Sequence, residues 1–134
     1  MSKAKTATPV RLSLQAAYEA EQARRAAERQ AKIEAEQVQQ EKDLARAEEL
    51  EGLLRADADF LGHRGLTLDR RRYTVSLDHE RFRIAAYFEA GKAVVTSADK
   101  RSIVPGAAPR KQQDAETLAE TLGVMAAFLA DETR

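Results

Sequence analysis

The sequence predicts an α+β fold: a long N-terminal polar α-helix, then a small three-stranded antiparallel sheet (four-stranded if residues 101–104 join it). The end of that helix and a C-terminal helix are expected to cover the sheet. Three observations carry the prediction. No proline or glycine occurs between Pro9 and Gly52, residues 72–97 alternate apolar and polar side chains, and residues 112–131 place leucine and methionine at helical spacing. The domain organisation that follows is a flexible tail over 1–8, an extended helical arm over 9–51 and a head over 52–134.

Thr8-Pro9 suits a helix start, since threonine caps and proline is tolerated at the first helical position. Alanine, glutamine, glutamate, arginine and lysine then dominate to residue 51, all strong helix formers. Glu21/Arg25, Glu28/Lys32 and Glu51/Arg55 have the i,i+4 spacing of favourable ion pairs. Between Glu19 and Asp43 the only large aliphatic residues are Ile33 and Val38. They fall about 140° apart around a helix and cannot share a stripe. Ala26, Ile33, Leu44, Ala47 and Leu54 lie near one line and form the expected arm interface, although Gln30, Gln37 and Glu51 interrupt the complementary positions. A two-stranded coiled coil normally has a fuller seam. The arm therefore has little to bury by itself.

From Leu44 the pattern becomes apolar, with Leu50, Leu53, Leu54, Phe60 and Leu61, so this end of the helix is expected to dock. Gly52 is a candidate kink and Gly62 a candidate C-cap. Strands follow. A two-residue turn at Asp78-His79 would set Leu77 against Glu80, Val75 against Phe82 and Tyr73 against Ile84. That register places Tyr73, Val75, Leu77, Phe82, Ile84, Ala86 and Phe88 on the core face. Ala90-Gly91 carries the next turn, with Glu89 opposite Lys92, and leads to a third strand over 93–97. "RSIV" (101–104) reads as a fourth strand or a tethered loop, and "PGAAPRK" (105–111) as a linker. The final helix, over 112–131, has Leu118, Leu122, Met125 and Leu129 on one face and Asp114 and Glu116 in its first turn. Gly123 within it suggests close approach to another backbone.

The charges narrow the function. The chain has 22 Lys+Arg and 22 Asp+Glu, yet residues 62–111 hold 11 basic against 5 acidic side chains. There is no cysteine, which excludes disulfides, thiolate metal sites and a cysteine nucleophile. No apolar run approaches membrane-spanning length, so no membrane partner is expected, and cytoplasmic is the default location. His63 and His79 lack ligand spacing. "AGK" at 90–92 fails as a phosphate loop, because Ala86 and Ala93 stand where glycine and Ser/Thr are required. With no nucleophile elbow either, the sequence points away from an enzyme and implies no cofactor and no small-molecule substrate.

The expected outer sheet face carries Arg72, Thr74, Ser76, Arg81, Arg83, Ala85 and Tyr87, and the strand opens with Arg70, Arg71 and Arg72. Such a surface could neutralise phosphates and reach base edges. It is also what a solvated sheet face needs. Two functions are thus expected: a non-enzymatic interaction or assembly protein whose arm meets its own copy or another protein, and, as the alternative, a nucleic-acid binder using Arg70, Arg71, Arg72, Arg81, Arg83 and Tyr87.

Overall fold

The computed structural model describes residues 12–100 and 111–133. The tail over 1–8, the Thr8-Pro9 start, the 101–104 segment and most of the 105–111 linker lie outside the described residues. The architecture is α+β, in the order α1 (Leu14–Ala56), α2 (Ala58–His63), β1 (Thr67–Arg71), β2 (Thr74–Asp78), β3 (Phe82–Glu89), β4 (Lys92–Asp99), β5 (Lys111–Ala115) and α3 (Leu118–Glu132). The sheet is an antiparallel meander in the order β1-β2-β3-β4-β5. It has five strands, not three or four.

Both additional strands are edges rich in polar residues, which is why alternation did not reveal them. In β5 only Ala115 is buried, and β1 shows two half-buried positions, Leu68 and Arg70. The helix expected from residue 112 consequently begins six residues later. Thr117 caps it, accepting from the Glu120 amide (3.0 Å), while Glu120 Oε1 accepts from the Thr117 amide (3.2 Å). This reciprocal box is the T-x-x-E signature in "TLAE", and Asp114 belongs to the strand before it.

The β2–β3 hairpin pairs Leu77 with Ile84 and Val75 with Ala86. The turn is longer than two residues: Asp78 faces Arg83, and His79 donates its amide to the Phe82 carbonyl (2.9 Å). Each β2 residue meets a partner four positions beyond the expected one, an even shift that leaves every side chain on its face. Val75, Leu77, Phe82, Ile84, Ala86 and Phe88 are accordingly all buried. Tyr73 is the exception, because Arg72 (φ 58°) and Tyr73 form the β1–β2 turn.

The contacts divide the chain into one unit through Glu36 and a second from Gln37 onward. In the second unit, Asp43, Ala47, Leu50 and Leu54 form the buried stripe of α1, at the i, i+4, i+7, i+11 spacing of one helix face. They join Leu61 of α2 and Val124, Met125 and Phe128 of α3 over the inner sheet face. α3 covers β3, β4 and β5. The Asp43 carboxylate, only 4 % exposed, accepts from the Ala90 and Gly91 amides (3.0 and 3.1 Å) and from Gln39 (3.0 Å). Arg46 donates to the carbonyls of Gly91 (2.9 Å) and Glu116 (3.0 Å). Ala90 and Gly91 take positive φ (54° and 84°), the twisted two-residue turn that suits a hairpin.

The glycines differ from expectation. α1 is continuous through Gly52, and the break falls at Asp57. Gly65 (φ 69°), not Gly62, takes the left-handed position after α2, with its amide on the Gly62 carbonyl and the Leu66 amide on the Leu61 carbonyl. That pair of bonds, with Leu61 and Leu66 both buried, is a Schellman stop. Gly123 has open space where a Cβ would sit, so no backbone approaches it. Gly123→Ala should therefore stabilise the protein by about 0.5–1 kcal/mol, whereas Gly65→Ala should destabilise it by about 1 kcal/mol. Urea denaturation of the two variants checks both signs.

Candidate functional site

Two surfaces are candidates, the outer sheet face and the exposed part of α1. Neighbouring strands place residues on the sheet face in rows: Asp69, Ser76, Ala85, Thr96 and Gln112 in one, Arg71, Thr74, Tyr87, Val94 and Asp114 in the next. The middle of the face is small and flat, with Tyr87 standing 40 % exposed. Ser76 lies on this side as expected yet is buried, its hydroxyl directed at the Asp69 carbonyl (3.4 Å).

The arginines do not converge. Arg70 pairs with Val75 and so belongs to the inner face. Its guanidinium reaches Glu51 of α1 (2.7 Å) and Glu48 (3.9 Å), tying β1 to the helix above it. Arg71 is on the outer face beside Asp69 (3.3 Å). Arg72 sits in the β1–β2 turn with its guanidinium over the Tyr73 ring (5.2 Å). Arg81 and Arg83 are exposed at the opposite end, Arg81 in the β2–β3 loop and Arg83 across from Asp78. The unforeseen strands also bring acids: Asp69 from β1, and Asp114 from β5, which binds Lys92 (3.0 Å) and raises its pKa. Lys100 pairs with Asp78 (2.6 Å). A face read as basic is thus a mixture of both signs.

The arm residues divide as well. Ala47 and Leu54 are core, and Leu44 is half-buried beside them. Docking on the sheet has used the strongest part of the expected stripe. Ala26 and Ile33 remain exposed, Ile33 at 46 %. Over residues 12–36 every side chain is exposed except that of Glu21, which is half-buried. Ser13 caps this segment, its hydroxyl accepting from the Ala16 amide (3.0 Å). Local ion pairs line it: Glu21 meets Arg24 and Arg25, whose hydrogen bonds hold its carboxyl below the usual value, and Glu28 pairs with Arg24 rather than Lys32. Leu14 and Tyr18, 87 % and 60 % exposed, share a face at i,i+4. Ala16, Ala20, Ala23, Ala27 and Ala31 recur at spacings of three and four, a methyl-lined stripe that a search for large side chains passes over.

Among the described residues no cluster of His, Asp or Glu could hold a metal ion. His79 stacks on Phe82 (4.4 Å between ring centroids) and accepts the Arg81 amide at Nδ1 (3.0 Å). His63 is engaged with the Asp59 carbonyl one turn earlier. Among the described residues no helix is long and apolar enough to cross a membrane. Comparison with family models, curated proteins and solved structures gives no match to this chain.

The Arg70–Glu51 pair has a pH signature. Arg70 first, and then Arg55, hold the Glu51 carboxyl below its ordinary value. A depressed folded-state pKa adds stability above the unfolded value, and that stability is lost as pH falls through the folded one. Glu51→Gln should cost about 1 kcal/mol at neutral pH, consistent with a partly exposed pair. The gap from wild type should close below about pH 4. Denaturation at both pH values measures it.

Proposed function

We propose that this chain is a non-enzymatic interaction or assembly protein, with the head from Gln37 onward as the folded body and the helical segment through Glu36 as the part that engages a protein. The partner is a second copy of the chain or a different protein. One observation carries this reading: residues 14–36 are helical while their side chains, Glu21 apart, are exposed.

The physical argument concerns what such a helix lacks. Isolated helices are marginal in water, and most helical stability in proteins comes from packing an apolar face. Local pairs such as Glu21–Arg25 add only about 0.2–0.5 kcal/mol each. The alanine stripe allows another helix to approach closely, and Leu14, Tyr18 and Ile33 offer larger contacts. The nucleic-acid reading draws on Arg81, Arg83 and Tyr87. It is the weaker of the two, because Asp69, Asp78 and Asp114 share that face and cancel much of the field a polyanion would meet.

Hydrogen exchange on the full chain tests the reading. In dilute solution, amides 14–36 should exchange far faster than those of β3 and β4, and should gain protection as concentration rises or when a protein partner is added. Sheet-like protection of 14–36 in a dilute monomer would overturn it.

A further inference from the structure

The head contains a cleft of about 420 Å³ between α2 and α3. This lies within the range of roughly 300–1,000 Å³ usual for small-molecule sites. Its walls are apolar: Leu54 at the end of α1, Phe60 of α2, and Leu122, Met125 and Leu129 along one face of α3. Phe60 is 46 % exposed on this wall, a large aromatic surface left open to water.

Two charged side chains also line the cleft, Asp57 just before α2 and Arg64 just after it. They stand at opposite ends of a six-residue helix. The two lie about 10 Å apart along the axis at about 1.5 Å per residue, and no ion pair joins them. Arg64 is positioned by the ring beneath it, its guanidinium carbon 5.7 Å from the Phe60 centroid. Among the described residues no carboxylate pairs with it. The result is an apolar trough with an uncompensated cation at one end and an anion at the other.

We propose that this cleft binds a small amphipathic monoanion, of the class of a medium-chain carboxylate. The hydrocarbon lies along Leu122, Met125 and Leu129, and the carboxylate meets Arg64. Each methylene removed from water contributes about 0.8 kcal/mol, so the chain supplies most of the affinity and the charge sets the orientation. Asp57 repels a second negative charge at the far end, which selects against dicarboxylates. The site is separate from the helical segment through Glu36 and does not depend on the role proposed for it.

Decanoate is a suitable probe, with decanol as its uncharged counterpart, titrated calorimetrically into the full-length protein. One decanoate should bind per chain. Ala126→Trp fills the cleft from an exposed position on α3 and should abolish saturable binding; Ala130→Trp, also lining it, serves should the first variant fold poorly. Arg64→Met keeps the packing on Phe60 and should weaken decanoate roughly tenfold while leaving decanol unchanged. Absence of saturable decanoate binding would overturn the proposal. So would wild-type binding by the folded tryptophan variants, or an equal loss of both ligands in Arg64→Met.

Discussion

The head depends on how one buried carboxylate is satisfied. Asp43 sits among helix residues that read as solvent-facing, yet it is enclosed and takes the two amides of the β3–β4 turn. A buried charge is costly unless hydrogen bonds replace its water, and here three donors do so. Arg46, one turn further along, holds the carbonyl of the same turn and that of Glu116 ahead of α3. These contacts fix the rotation and register of α1, and the apolar residues that follow on its buried face, Ala47, Leu50 and Leu54, meet the sheet in consequence. Hydrophobic burial drives the association, but it is non-directional. The hydrogen bonds at Gly91 select one arrangement.

A sheet covered on one face follows from this placement. The inner face takes α1 at Arg70 and at the turn, and α3 over β3, β4 and β5. Small polar residues and paired charges occupy the other face, as an antiparallel sheet in contact with water requires. The same docking defines where the helix stops contributing to the head. Asp43 is the first fully buried residue of α1, and the residues before Gln37 belong to another unit. Alanine and charge dominate the helix before Gln37, and its side chains there are exposed apart from that of Glu21.

Much of this was legible in the sequence, for reasons that can be named. The even displacement of the β2–β3 hairpin preserved the inward set from Val75 to Phe88, since strand faces depend on parity and not on register. The Ala90-Gly91 turn was legible because glycine accepts positive φ without cost, and Gly91 takes it. The edge strands were not, because an edge needs no apolar alternation: β5 reads "KQQDA" and owes its place to β4. With those strands come Asp69 and Asp114, which give the outer face both signs of charge. Asp43 was hidden for the opposite reason, its partners being backbone amides 47 and 48 residues away that no local pattern announces. The cleft beside α2 was equally illegible, because it arises between elements.

Asp43 is the residue at which α1 changes from exposed surface to core. The most direct measurement is equilibrium denaturation of Asp43→Ala and Asp43→Asn beside wild type. Removing the acceptor leaves the Ala90 and Gly91 amides without their partner, so alanine should cost about 1–3 kcal/mol. Asparagine, with one remaining oxygen, should recover part of that loss. An alanine variant within about 0.5 kcal/mol of wild type, the scatter of ordinary surface substitutions, would contradict the account.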